Sequence, residues 1–518
     1  MALLRSSLTV GGFTMASRLL GFVRDMLIAA VLGAGPVADA FVVAFRFPNL
    51  FRNLAAEGAF SAAFVPLYSR AIEERGPEAA RVFAGEVLAG LLSAIFLFTV
   101  AAMVAMPWLM AAIAPGFVEE PAKYQLAVVL TRITFPYLLC MALAALLGGM
   151  LNTHFRFAAA AVSPVLLNVT LIAALLLPKS WSVDPGHALA WAVTVAGVGQ
   201  FLWLAWSAAR HGLLPRLPRP RWTPDLQRLT KLMVPGAVGA GVVQINIVVG
   251  TMIASLLPTG AVASLYYADR MYQLPLGVIG TAIGTVLLPE LARKLRAGDE
   301  AGAAESQNRA LEYALLLTLP AAAALATIAA PIVVVLFQHG AFTSADAAVT
   351  SQALAAFALG LPAYVIVKSL APAFFAREDT TTPVRAAVAA VISNVILSLL
   401  LIGPLGPTGI ALATSLAAWI NVASLVRALR KHGHVATDAG FRRRVPRILI
   451  ASLAMAAALV FAARALAAPL AAGLALKAAA LAALVIGGAL VYGALALALG
   501  AVEPGTMKRL LKRARKAG

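Results

Sequence analysis

The sequence predicts an all-α polytopic membrane protein, and three observations carry that prediction. Hydrophobic residues make up 61% of the 518 residues and charged residues only 12%, and the mean hydropathy is +0.89. Soluble proteins contain about 25% charged residues, so this chain has too few to cover a water-exposed surface. Apolar runs of roughly 20 residues or more recur along the whole chain, and each is long enough to cross a bilayer as a helix.

The apolar runs predict about 14 transmembrane helices. The first run contains charged residues, unlike the apolar core of a cleaved signal peptide, and is therefore predicted to be a retained helix. The loops are too short to hold a soluble domain. The predicted spans are 8–32, 37–68, 84–113, 123–152, 157–178, 187–209, 228–257, 262–291, 310–337, 348–376, 384–403, 408–429, 446–467 and 474–499.

The basic residues lie mostly on one side of this topology. The chain has 41 Lys and Arg residues and a net charge of +19. Most of them fall at the N-terminus, in the loops after even-numbered spans and in the C-terminal tail, whereas the opposite loops hold only Lys123, Lys179 and Arg464. The positive-inside rule then predicts both termini in the cytoplasm. The net charge follows from topology and lipid headgroup attraction, so no nucleic-acid partner is expected.

Charged residues inside the predicted spans mark the candidate site, because each costs about 2.5–3.5 kcal/mol at the bilayer centre. Ser17 and Arg24 are seven residues apart and share one helix face, with Arg18 and Asp25 on the adjoining face. Arg132 and Lys368 could serve either function or structure. The candidate substrate-binding residues are Ser17, Arg18, Arg24, Arg52 and Arg270, and the candidate gating or ion-pair residues are Asp25, Asp39, Glu57 and Asp269.

Two interpretations of these charges remain open from the residues alone. The acids could form internal salt bridges with the arginines and merely hold helices together. Alternatively, arginines outnumber nearby acids in the first two spans, which leaves positive charge for an anionic substrate. Arginine suits phosphate because its planar fork binds two oxygens at once. No Walker A motif, no metal-ligand spacing of histidines and only one cysteine are present, so no enzyme, metal or cofactor is expected.

The chain also repeats itself. Asn168-Val169 and Asn394-Val395 each open an apolar run, and the pair Arg46 and Arg270 is separated by nearly the same interval. The repeat predicts an N-terminal six-helix lobe over 1–215 and a second over 216–440, followed by two extra helices and a basic tail over 441–518. Parallel repeats of this kind place the substrate site between the lobes, with alternating access.

Four sequence strings resemble the MurJ (MviN) family of the multidrug/oligosaccharidyl-lipid/polysaccharide exporter superfamily. They are 17–25 (SRLLGFVRD), 39–52 (DAFVVAFRFPNLFR), 57–66 (EGAFSAAFVP) and 267–270 (YADR). The resemblance implies a multi-pass protein of the bacterial inner membrane that flips lipid II, an undecaprenyl-pyrophosphate-linked peptidoglycan precursor. It implies a cationic inter-lobe cavity in which Arg18, Arg24, Arg52 and Arg270 face the substrate. The two extra helices would form a groove for the lipid tail.

The remaining expectations concern partners, energy and competing functions. A monomer suffices for a two-lobe design, membrane lipids surround it, and cell-wall synthesis machinery is a candidate partner. Membrane potential or a monovalent cation could drive transport, and the sequence does not choose between them. A flippase for another polyprenyl-linked glycan stays open. A multidrug antiporter would be expected to line its cavity with carboxylates and aromatic residues, and a non-transport scaffold would not need buried arginines, so the arginine excess disfavours both.

Overall fold

The computed structural model describes residues 2–52, 60–177, 184–431 and 438–501, and within these ranges the regular structure is entirely helical. Predicted site residues elsewhere in the chain, Glu57 among them, lie outside the described part. The helices are α1 (Ala2–Leu32), α2 (Pro36–Phe51), α3 (Ser61–Val104), α4 (Met106–Ile113), a 3₁₀ helix (Pro115–Glu119), α5 (Pro121–Thr134), α6 (Tyr137–Thr153), α7 (Phe157–Leu175), α8 (Pro185–Arg210), α9 (Pro224–Ser255), α10 (Ala261–Arg296), α11 (Glu300–Thr327), α12 (Ala329–Phe337), α13 (Ser344–Ala358), α14 (Leu361–Phe375), α15 (Thr381–Lys431), α16 (Ala439–Ala465), α17 (Ala467–Ala471) and α18 (Leu474–Ala498).

Length and hydropathy confirm the predicted class of a polytopic helical membrane protein. Among the described residues, nine helical segments are long and apolar enough to cross a membrane. Many large apolar side chains on these helices are exposed, for example Leu97 on α3, Phe461 on α16 and Leu490 on α18. Such surfaces suit contact with lipid rather than water. The count of 14 spans and the cytoplasmic termini stay predictions.

The helices pack into two compact units. The first comprises 1–263 with the short segment 339–342, and the second comprises 264–338 with 343–518. In the first unit α1 packs on α7, α7 on α8 and α2 on α5; in the second α14 packs on α15, and α11 and α18 pack on α16. The predicted lobe limits, 1–215, 216–440 and 441–518, stay predictions from the sequence repeat.

The same order of helix breaks occurs twice along the chain. The short helix α4 and its counterpart α12 begin at Met106 and Ala329. Helices α5 and α13 end at Thr134 and Ala358, and α6 and α14 then begin at 137 and 361. The interval between counterparts is the same for the last two pairs and nearly the same for the first. This agreement supports the internal repeat that Asn168 and Asn394 indicate.

Several predicted spans contain a helix break, because helices are interrupted near prolines. The span 84–113 is divided between α3 and α4, 123–152 between α5 and α6, and 348–376 between α13 and α14. Proline has no backbone N–H and clashes with the preceding turn, so a helix is interrupted there. Conversely, the spans 384–403 and 408–429 are joined in α15, which turns sharply at Gly406, where φ is 54°. Glycine adopts this left-handed conformation without steric cost.

Two polar side chains bond the carbonyl groups that prolines leave without a helical partner. Pro107 cannot donate to Met103, and the Met103 carbonyl accepts a 2.9 Å hydrogen bond from Arg132 Nε. Pro48 likewise cannot donate to Ala44, whose carbonyl accepts a 2.8 Å bond from Thr134 Oγ1. Buried backbone groups need such partners because leaving them unpaired is costly. Arg132 therefore has a structural role.

Thr134→Val should destabilise the protein by about 1–3 kcal/mol, since it leaves the buried Ala44 carbonyl without its donor. Thr131→Val is the matched control: Thr131 is equally buried on the same helix, but its hydroxyl bonds Ala127 within its own helix, where a backbone N–H already serves that carbonyl. Thermal unfolding of both variants in detergent checks this. Equal shifts in the two variants would contradict the capping role of Thr134.

Candidate functional site

Arg24 lies at the centre of a buried polar network in the first unit. Its side chain projects from α1 and is 8% exposed, and its Nη2 lies 2.7 Å from Asp25 Oδ1. Its Nε donates to the same oxygen at 2.9 Å, and Nη1 donates to Asn168 Oδ1 at 2.9 Å. The guanidinium also lies over the ring of Phe45, 5.5 Å from its centroid. These contacts fix the orientation of the arginine fork.

Asn168 joins Arg24 to Ser17. While its Oδ1 accepts from Arg24, its Nδ2 donates to the Ser17 carbonyl at 2.9 Å and to the Ser17 hydroxyl at 3.3 Å. Asn168 is buried on α7, and its amide group would lie 3.6 Å from a Cβ added at Gly21 of α1. The seven-residue spacing predicted that Ser17 and Arg24 share a face, and Asn168 contacts both. Sequence reasoning used Asn168 only as a repeat marker and missed its place in the site.

Part of the positive charge in the first two predicted spans is neutralised within the protein at Arg24. Its neighbour Asp25 is buried, only 3% exposed, and forms an ion pair with it. A lone buried charge would cost several kcal/mol, so pairing within the protein is the cheaper arrangement. An anion that binds here must therefore compete with Asp25 rather than fill an uncompensated site.

The other site candidates of the first unit lie at different positions. Arg18 is exposed on α1, whereas Arg52 is half-buried at the C-terminal end of α2. Glu57 lies outside the described residues.

In the second unit, Arg270 and Asp269 lie side by side on α10. The Arg270 guanidinium lies over the Tyr266 ring, 4.8 Å from its centroid. Asp269 accepts a hydrogen bond from Gln273 one turn further along the helix. Lys368 lies against α10 at Gly280, where an added Cβ would be 2.9 Å from the ammonium nitrogen.

Asp39 makes a separate set of contacts within the first unit. The ion pair found for it among the described residues is with Lys123 and not with an arginine. Its carboxylate is 1% exposed and accepts from the backbone N–H of Gly260 at 2.7 Å and of Ala263 at 2.8 Å. These are the N–H groups at the start of α10, which have no partner inside the helix. Lys123 lies 3.5 Å from the same carboxylate. Asp39 thus caps a helix, a role that sequence reasoning did not assign.

Four glycines let the loops near Asp39 come together. An added Cβ at Gly33, Gly116, Gly260 or Gly340 would lie 2.0–2.6 Å from a backbone oxygen of another segment. Three of them also have positive φ angles: 65° at Gly33, 96° at Gly260 and 59° at Gly340. We call these four residues the glycine seam. All belong to the first unit.

No group of three or more histidine, cysteine or acidic residues is arranged to hold a metal ion in the described ranges. The Arg24 network instead combines a basic, an amide, a hydroxyl and one acidic side chain.

Comparison with known proteins decides the family. The sequence profile described as "Lipid II flippase MurJ" matches residues 28–481. The chain belongs to the MurJ family. A Rhizobium meliloti (strain 1021) protein named "Probable lipid II flippase MurJ" is 47% identical over 526 residues, covering 100% of this chain and 98% of that protein. "Lipid II flippase MurJ" of Burkholderia cenocepacia is 36% identical over 460 residues, covering 88% and 89%.

Solved structures agree with membership of the MurJ family. The structure "Lipid II flippase MurJ, inward closed conformation" superposes with a TM-score of 0.79 at 28% identity, covering 94% of this chain and 97% of that one. An inward-facing multidrug resistance MATE family transporter of the MOP superfamily gives 0.67 at 14% identity, covering 83% and 95%. The second likeness concerns the fold alone.

Proposed function

We propose that this protein flips lipid II from the inner to the outer leaflet of the bacterial inner membrane. The observation that carries the proposal is the match to the MurJ family over nearly the whole chain, with relatives named as lipid II flippases. Lipid II carries a pyrophosphate, and a flippase must give that anion a partner while it crosses the hydrocarbon.

The Arg24 network supports a binding role for this residue. Asn168 and Ser17 hold the guanidinium in place, so an incoming phosphate meets a pre-oriented fork. Bidentate arginine–phosphate bonds are charge-assisted and stronger than neutral ones. The pyrophosphate displaces Asp25 from one edge of Arg24. When the pyrophosphate is released, Arg24 pairs with Asp25 again. This exchange keeps Arg24 neutralised in both the loaded and the empty states.

Other parts of the mechanism go with the proposal. Arg18, Arg52 and Arg270 contribute positive charge, and Asp39, Glu57 and Asp269 take part in ion pairs that change during alternating access. Both termini face the cytoplasm, and a monomer carries out transport, with membrane potential or a monovalent cation as the driving force. Cell-wall synthesis enzymes are the candidate partners.

Depletion of the protein in its native bacterium tests the proposal. We expect externally accessible lipid II to fall and the cells to lyse. Re-expressed wild-type protein should restore accessible lipid II and prevent lysis. Complementation with Gly199→Ala should equal complementation with the wild type, because Gly199 is exposed on α8 and has no heavy atom within 4 Å of an added Cβ. If depletion leaves lipid II translocation unchanged, the proposal fails and another polyprenyl-linked glycan becomes the substrate to test.

A further inference from the structure

Lys123 is buried although its position at the start of α5, in a predicted outer loop, suggested a solvated lysine. Its side chain is only 3% exposed. A lysine at a helix end normally extends its ammonium group to water. A charge that is kept away from water this completely needs compensating partners.

The partners of Lys123 surround its ammonium nitrogen. Nζ donates to Glu120 Oε1 and to Thr259 Oγ1, both at 3.0 Å, and lies 3.5 Å from Asp39 Oδ2. The face of the Phe117 ring is 4.4 Å away. Ammonium carries three N–H donors; two of them bond Glu120 and Thr259, and the Asp39 carboxylate lies within ion-pair distance.

Glu120 and Thr259 complete the arrangement. Thr259 Oγ1 lies 2.7 Å and 2.8 Å from the two Glu120 carboxylate oxygens. Hydrogen bonds from Thr259 and then Lys123 lower the pKa of the Glu120 carboxyl below its usual range. Lys123 therefore lies between two carboxylates, one exposed and one buried, and Thr259 ties the exposed one to the loop that precedes α10.

We propose that Lys123 is a positioning residue that acts through Asp39: it keeps the Asp39 carboxylate charged and aimed at the backbone N–H groups of Gly260 and Ala263. This inference rests on the proposed transport function, for which the start of α10 must be held in one conformation and released in another. A carboxylate buried without a counter-charge becomes protonated or draws in water. A protonated acid accepts backbone hydrogen bonds less strongly than a carboxylate does, so the grip on α10 depends on the lysine.

The experiment measures how often this region opens, using a cysteine at Ala34, whose carbonyl approaches Gly260. The native Cys140 is replaced by serine, and full-length A34C protein in nanodiscs is labelled with a water-soluble maleimide. Ala34 is only 8% exposed, so labelling reports opening. Loss of a charge-assisted interaction should increase the labelling rate about tenfold or more in K123M. D39N should produce a similar increase.

The double variant separates positioning from general loosening. If Lys123 acts through Asp39, K123M/D39N labels no faster than D39N alone. K123R, which keeps the charge, should recover most of the slow labelling, and this variant also serves if K123M does not fold. K477M is the matched control, because Lys477 is a half-buried lysine on α18 in the second unit. It should leave the rate unchanged.

Two results would overturn the proposal: unchanged labelling in K123M, or effects of K123M and D39N that multiply in the double variant. Labelling needs no substrate, so its outcome is independent of transport. If the wild type fails to translocate lipid II while the labelling pattern holds, the proposed function fails and the role of Lys123 stands.

Discussion

Replacing Arg24 with glutamine is expected to reduce lipid II translocation by about ten- to a hundredfold. Glutamine keeps a polar group but loses the charge and the two-pronged geometry that suit a phosphate. Hydrogen bonds to charged groups are worth about 1.5–3 kcal/mol, and each 1.36 kcal/mol corresponds to about tenfold in rate. The measurement is translocation of fluorescent lipid II by purified protein in liposomes, at matched protein amounts.

Two controls separate binding by Arg24 from its contribution to stability. R24Q removes one partner of the buried Asp25, and breaking a buried ion pair costs about 3–5 kcal/mol, so unfolding must be measured beside transport. R24Q/D25N removes both charges and restores stability without restoring transport. R24K keeps the charge but not the fork, and should fall between R24Q and the wild type. Transport at the wild-type rate by stable R24Q would exclude Arg24 from binding.

Substituting one glycine of the seam should have the second large effect. In Gly340→Ala the new Cβ would lie 2.2 Å from the Ala30 carbonyl oxygen, so the backbone has to move. The alanine must also adopt a φ of 59°, which costs a residue with a side chain about 1–2 kcal/mol. The Ala341 N–H bond to the Ala30 carbonyl, 2.7 Å long, would be strained at the same time. We expect a total loss of about 3 kcal/mol.

Thermal unfolding followed by tryptophan fluorescence checks the glycine prediction. Gly199→Ala should raise or leave unchanged the unfolding midpoint, because alanine favours a helix over glycine by roughly 0.5–1 kcal/mol. Gly340→Ala should lower it. Identical midpoints for the two variants would mean that the close approach between Gly340 and Ala30 does not contribute to stability.

The fold was predictable from sequence where hydropathy and repetition carry the information. Long apolar runs predicted the helical membrane class, and the spacing of Asn168 and Asn394 predicted the repeat that the helix breaks support. Prolines were visible in the sequence, but the side chains that bond the carbonyls they free were not. Thr134 provides that bond for Ala44 from a distant part of the chain, which a local pattern cannot show.

The candidate site was predictable only in part. Helical spacing placed Ser17 and Arg24 on one face, because that relation is local. The roles of Asn168 and Lys123 depend on partners that other helices contribute, far away in the chain. The sequence placed Lys123 only in a predicted outer loop, since burial cannot be read from one charge at the end of an apolar run. Asp39 suggested an ion pair, whereas its strongest contacts are with backbone groups.

The short segment 339–342 within the first unit affects how the protein is made. This unit otherwise ends at 263, yet Ala341 bonds the Ala30 carbonyl and Gly340 packs against it. At synthesis rates of about 5–20 residues per second, the ribosome needs roughly 4–16 s to travel from one point to the other. During that interval the end of α1 lacks its contacts with residues 339–342. The insertion machinery or a chaperone therefore has a window in which to act before the first unit is complete.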